Sequence, residues 1–271
     1  MNVVGIMQGR LSPPHEARLQ TFPWLTWEQE FTHAHDCGLD GIEWLFEAEG
    51  FDRNPIWTDD GVERVRACVA RSGVAVHSIC ADYFMPHPFF RVTEPESEAS
   101  VAVLTRLIAQ AAALGAKTIL LPVLEVAEVR TPDEKAQLLR RLQEPLNLAA
   151  RLGIRLGVET ELPAGEYRDL VSDAQHEALG VYYDTGNAAA KGYDIAADIT
   201  TLAPLLCGVH IKDRKRGGSS VPLGQGDADF PQFFAALGEV GYSGPVVLQT
   251  AFGRDFLGDA ATHLTFVRDL L

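Results

Sequence analysis

Eight short apolar runs, each bounded by turn residues, alternate along the chain with helix-like stretches: Val3–Met7, Gly41–Leu45, Val74–Cys80, Lys117–Val123, Ile154–Thr160, Leu179–Asp184, Leu206–Lys212 and Val246–Gln249. Their spacing of roughly 30 residues is the size of one βα unit with its loops. Several of the runs lack strict polar and apolar alternation, which is how strands read when a parallel sheet is covered by helices on both faces. Eight such units predict the α/β class and a (β/α)8 barrel, as one domain over residues 1–271. An open doubly wound sheet needs fewer strands for this length. It also carries a glycine fingerprint after its first strand, which MQGRLSPP lacks.

Helix punctuation agrees with the repeat. Thr26 precedes WEQEFTHAHDC with Gly38 as a stop, Thr58 precedes DDGVERVRACVARS with Gly73, and Thr131-Pro132-Asp133-Glu134 opens a long stretch that ends at Gly153. Thr26 and Thr131 are expected to cap their helices through the side chain.

With 46% hydrophobic residues the chain can fill a core of barrel size, and its formal net charge of −14 bears on partners. Such a surface repels phosphates, so neither nucleic acid nor an anionic membrane is an expected partner. No run reaches the ~20 apolar residues of a membrane span, and the first residues lack a basic region followed by an apolar signal core. A cytoplasmic location is therefore expected. Cys37, Cys68, Cys80 and Cys207 have no CxxC spacing and read as reduced thiols, without a disulfide or zinc knuckle.

In parallel α/β barrels ligands gather at the carboxyl ends of the strands. Four consecutive strands here end on a group able to hold a metal: Glu159 in GIRLGVETE, Asp184 in GVYYDTGN, His210 in LCGVHIKDR and Gln249 in PVVLQT. Two carboxylates, an imidazole and an amide oxygen, with no thiolate, suit one divalent ion, Mn2+ foremost, with Mg2+, Co2+ or Zn2+ as alternatives. After His210 comes a basic loop containing Lys212, Arg214, Lys215 and Arg216, which either is a solvated loop or closes over a substrate anion. Arg10 and Arg254 are within possible reach of the same cavity. Glu43, His77 and Glu125, at or near other strand ends, are candidates for substrate contact or for support of the ligands.

These motifs, with GIEW at the second strand and PLGQGDADF after the seventh, resemble the xylose-isomerase-like barrel superfamily over the whole chain, in particular its sugar-phosphate isomerases and epimerases. The opening MQGRLSP looks like the branch of the L-xylulose-5-phosphate (hexulose-6-phosphate) 3-epimerases, with D-tagatose 3-epimerase more distant. The resemblance implies a metal that grips a ketose carbonyl and its neighbouring hydroxyl, and two glutamates that move a carbon-bound proton through an enediolate. It implies catalysis by Glu159, a sugar or sugar phosphate as partner, and a homodimer or homotetramer; the candidate substrate contacts for such a sugar are Lys212, Arg214, Arg216, Asn187, Glu125, His77 and Arg10. Two positions depart from it. Gln249 stands where a second glutamate is expected, and Asn187 where tagatose-epimerase-like relatives often have histidine. Glu125, Glu161 and Lys212 are the substitute bases in reach of a symmetric epimerisation. The leading expectation is a metal-dependent isomerase or epimerase. A keto-sugar dehydratase and a carbohydrate-binding barrel without turnover are the alternatives. Nuclease relatives of the endonuclease IV type need an Asp-x-His pair before the glycine loop, and GGSSVPLGQG has none.

Overall fold

The computed structural model describes residues 3–14 and 20–271. Eight parallel strands close into a barrel, in the spatial order β1-β10-β7-β6-β5-β4-β3-β2. They are β1 (Val4–Met7), β2 (Gly41–Leu45), β3 (Ala75–Cys80), β4 (Thr118–Pro122), β5 (Arg155–Glu159), β6 (Leu179–Asp184), β7 (Leu206–Ile211) and β10 (Val246–Leu248). A small antiparallel hairpin, β8 (Asp213–Arg214) with β9 (Ser220–Val221), interrupts the repeat just after β7. Around the barrel lie α1 (Trp27–Cys37), α2 (Asp59–Ser72), α3 (Glu94–Leu114), α4 (Pro132–Leu152), α5 (Ala164–Ser172), α6 (Thr185–Lys191), α7 (Ile195–Leu202), α8 (Phe230–Glu239) and α9 (Phe256–Arg268). The (β/α)8 architecture expected from the repeat is the one observed, because each apolar run is covered outside by a helix and inside by the opposite strands.

Two of the three threonines that precede helix-like runs in the sequence cap as expected. Thr58 and Thr131 accept from Gly61 N at 3.1 Å and Glu134 N at 3.2 Å, closing the first turns of α2 and α4. Thr26 makes no such bond. Its hydroxyl pairs with Ser12 Oγ at 2.7 Å, so the loop after β1 takes the group that would have capped α1.

The barrel interior is polar near its upper end. Glu43, at 0% exposure, receives Ser78 Oγ at 2.7 Å and the Tyr182 hydroxyl from across the barrel. Gly208 makes room for this crossing, since a Cβ there would meet the Tyr182 ring at 2.2 Å. The register between β2 and β3 slips after Ile42, which pairs with Val76, while Glu43 pairs with Ser78. His77 is the residue left over. A bulge redirects the side chain of its extra residue, and the His77 ring lies against Gly5 and Gly41, two positions below Glu43 on β2. The expectation of a substrate contact at His77 is corrected accordingly, since the ring faces the amino-terminal half of the barrel.

Candidate functional site

Glu159 is the last residue of β5, Asp184 the last of β6, His210 the penultimate residue of β7, and Gln249 follows β10 directly. Asp184 and His210 are register partners on adjacent strands. The ligand atoms of Glu159, Asp184 and His210 lie within 4.8 Å of one another, and His210 Nδ1 is 3.8 Å from Asp184 Oδ2 and 4.0 Å from Glu159 Oε1. All four side chains are buried.

Buried polar atoms in folded proteins almost always have partners. Among the described residues, Asp184 Oδ2, His210 Nδ1 and Gln249 Oε1 are buried without a hydrogen bond, with Lys212 Nζ 3.5 Å from Asp184 Oδ2. Each of these groups is nevertheless held by its other end. Asp184 Oδ1 accepts from Asn187 N at 2.8 Å, His210 Nε2 meets Glu43 Oε1 at 2.6 Å, and Gln249 Nε2 donates to Gln20 Oε1 at 3.2 Å. Asn187 Nδ2 donates to Glu159 Oε1 at 3.0 Å. Groups fixed at one atom and unsatisfied at another are how a protein presents ligands to a cation, and a carboxylate behind the imidazole is the usual support. The donor set fits one divalent metal ion.

The orientation of Gln249 follows from its neighbours. Arg10 has only donors, so the Gln20 atom it faces, at 3.4 Å, is the carbonyl oxygen. That turns Gln20 Nε2 to the Asp82 carboxylate and leaves Gln20 Oε1 to receive Gln249 Nε2. The oxygen of Gln249 is left for the site.

Burial first, and then the charge of Asp184, push the Glu159 carboxyl up to about 8. Lys212 Nζ, 3.5 Å from Asp184 Oδ2, offsets part of this negative charge. Burial works against a charged His210, but Glu43 outweighs it and raises the imidazole above its ordinary value. Burial likewise opposes ionisation of Glu43, and His210 with the Ser78 and Tyr182 hydroxyls overcomes it, leaving the carboxyl below its usual range.

The cluster opens into a cavity of about 410 Å3 at the carboxyl ends of the strands, lined by Gln20, Asp82, Met85, Leu124, Glu125, Glu159, Asn187, Lys212, Arg214, Ser219, Ser220 and Gln249 among others. A family model for the xylose isomerase-like TIM barrel matches residues 31–268. The chain belongs to that family. L-ribulose-5-phosphate 3-epimerase UlaE of Salmonella heidelberg is 24% identical over 238 residues, covering 82% of this chain and 81% of its own. Among solved structures, an L-ribulose 3-epimerase superposes with a TM-score of 0.81 at 19% identity, over 100% of this chain and 95% of that one. A xylose isomerase-like TIM barrel protein from Mycobacterium smegmatis, in complex with magnesium, gives 0.73 at 22% identity, over 99% and 96%.

Of the candidate substrate contacts read from the sequence, Lys212, Arg214, Asn187 and Glu125 line the cavity. Arg214 donates to Asn187 Oδ1 at 3.0 Å and to Gly218 O at 3.1 Å. Arg10, Arg216 and Arg254 do not line it. Arg10 is 2% exposed, donates from Nε to Thr250 O at 3.0 Å and is lowered by burial to about 10, so it braces the loop after β1. Arg216 lies beyond the end of β8, in a turn that carries its guanidinium over Gly192 and ties its amide to Asp227 Oδ2 at 2.7 Å. The basic loop thus splits, with Lys212 and Arg214 inward, Lys215 and Arg216 outward. Glu161 pairs with Lys191 at 2.9 Å and Arg214 at 3.6 Å and does not line the cavity. The aspartate of HIKD, Asp213, accepts from Gly224 N, Gly226 N and Ala228 N at 2.9, 2.8 and 3.2 Å, so this motif residue holds the PLGQGDADF loop. Sequence reasoning missed Gln20 and Asp82, which sit in loops after β1 and β3 with no period or motif to mark them.

Proposed function

We propose that this chain is a divalent-metal-dependent isomerase or epimerase of a ketose or ketose phosphate, acting through an enediolate, with Glu159 as a proton-transfer group. The observation that carries this reading is the meeting of the Glu159, Asp184 and His210 ligand atoms within 4.8 Å, with Asp184 Oδ2, His210 Nδ1 and Gln249 Oε1 buried without a hydrogen bond, beside a sugar-sized cavity that Glu159 and Gln249 line. The names of the curated relatives, L-ribulose-5-phosphate 3-epimerases, agree in reaction class. A divalent ion, Mn2+ foremost, supplies a Lewis acid that polarises a carbonyl and steadies developing negative charge on oxygen.

The rest falls to side chains. Glu159, at the end of β5 and on the cavity wall, removes the carbon-bound proton. Asn187 orients that carboxylate from one oxygen. Lys212 and Arg214, with the Ser219 and Ser220 rim, give the cavity a cationic wall suited to a phosphate. Gln249 favours one second reading, dehydration of a keto sugar, because that chemistry uses a single base in this frame.

The test is deuterium exchange followed by NMR in D2O, with Mn2+-loaded protein, L-ribulose 5-phosphate and its unphosphorylated ketose. Deuterium is expected at the carbon next to the carbonyl with formation of a second epimer or isomer, and Glu159→Gln is expected to lower exchange by ~10² or more. Arg214→Ala is expected to narrow the difference between phosphorylated and free sugar. Exchange that survives in Glu159→Gln, or none in the loaded protein with a panel of ketoses, sinks the reading. Loss of water from a keto sugar would select the dehydratase.

A further inference from the structure

Inverting a carbon centre through an enediolate takes proton transfer on both of its faces, and the ligand frame supplies one competent group. The amide of Gln249 neither accepts nor releases a proton in this range. Of the substitutes in reach, Glu161 does not line the cavity, and Lys212 is drawn to Asp184 at 3.5 Å on the β6 and β7 side. Glu125 is exposed at the rim just beyond β4, the strand next to that of Glu159, so it shares a wall with Glu159.

Asp82 is different. It follows β3 by two residues, and in the closed barrel β3 stands opposite β7 and a quarter-turn from the β5 of Glu159, with β4 and Glu125 between them. It lines the same cavity as Glu159. One oxygen accepts from Gln20 Nε2 and the other is met by Cys80 Sγ at 3.2 Å, so the carboxyl is oriented without a cationic partner in contact. Burial pushes it up from the ordinary aspartate value, against the hydrogen bonds from Cys80 and Gln20 and the charge of His210. Neither oxygen belongs to the ligand cluster of Glu159, Asp184 and His210.

We propose that Asp82 is the second proton-transfer group, delivering a proton to the face of the substrate carbon turned away from Glu159. The proposal rests on the reading above. Glu159 takes the proton, and the electron pair of the broken C–H bond moves into the carbon–carbon bond while the carbonyl pair moves onto oxygen. The Asp82 O–H bond then breaks as a C–H bond forms on the opposite face and the carbonyl is restored. One centre is inverted, Glu159 has gained a proton and Asp82 has lost one. Exchange with water in the cavity resets both.

The experiment uses the full-length Mn2+-loaded protein with a ketopentose 5-phosphate in D2O, comparing wild type, Asp82→Asn and Glu159→Gln by NMR at early times. In folded Asp82→Asn, checked by thermal melting, epimer formation is expected to fall by ~10² or more while deuterium still enters the recovered ketose at the same carbon through Glu159. Mn2+ affinity, measured by calorimetry, is expected to change by no more than a few-fold. In wild type alone, first-formed epimer should carry solvent deuterium while unreacted ketose keeps protium. Epimer formation at the wild-type rate in Asp82→Asn, equal loss of exchange and epimerisation, loss of Mn2+ binding, or first-formed epimer that retains protium would each overturn the assignment of Asp82. Wild-type protein that exchanges no carbon-bound proton in any ketose would instead bring down the function itself, and Asp82's role with it.

Discussion

Gln249 is one atom type away from the glutamate that the family resemblance implies, and that difference sets the charge of the site. Its oxygen is aimed by a chain of hydrogen bonds from Asp82 and Arg10 through Gln20, so it can donate electron density but carries no charge. Ligand charge count is a main determinant of divalent affinity. Gln249→Glu is therefore expected to tighten Mn2+ binding by on the order of tenfold, read by calorimetry. Unchanged or weaker binding would mean that this side chain is not a ligand. If Asp82 does the work assigned to it, the same variant gains little epimerisation, because the second face is already served.

At the scale of elements, several hydrogen bonds fasten the described part of the loop after β1. Gly9 N and Leu11 N donate to Glu30 on α1 at 3.0 and 3.2 Å, Ser12 pairs with Thr26, and Arg10 reaches Thr250 O beyond β10. Burial drives the Glu30 carboxyl up to about 7 from an ordinary 4.5, against the pull of these donors. The folded value lies above the unfolded one, so the protonated form is favoured by folding. Its contribution to stability is complete below about 4.5 and is lost as pH rises through about 7. The size is on the order of 3 kcal/mol. Measured as Tm against pH, wild type should lose stability relative to Glu30→Gln between pH 4.5 and 8. Parallel curves would show that the carboxyl titrates at its ordinary value. The hairpin β8–β9 is the other element that shapes the cavity, and Asp213 holds the loop beyond it by three backbone donors.

For the whole molecule, the clustered Glu159, Asp184 and His210 sit on three strands of one closed sheet, so a cation that binds them only in the folded barrel must stabilise all of it. Free Mn2+ at 100 times its Kd contributes about 2.7 kcal/mol, and Tm should rise by on the order of 5–10 °C over chelator-treated protein. Scanning fluorimetry checks this, and identical curves would exclude specific binding. No helix among the described residues is long and apolar enough to cross a membrane. The barrel was legible in the sequence because burial on both faces leaves a local imprint, an apolar run every βα unit closed by threonine or proline at helix starts and glycine at their ends. The placement of Glu159, Asp184, His210 and Gln249 at strand ends was legible for a related reason, since the end of a buried strand is where polarity returns. What escaped the sequence depends on contacts between distant residues. A one-residue slip between β2 and β3 sends His77 down the barrel, and Arg216 turns outward because β8 stops at Arg214. Arg10 spends its charge on loop bracing, and Gln20 and Asp82 join the cavity wall from loops that no periodicity marks. Local pattern determines where a strand ends; only the closed barrel decides which side chains from eight such ends meet, because that depends on register and on through-space partners far apart in the chain.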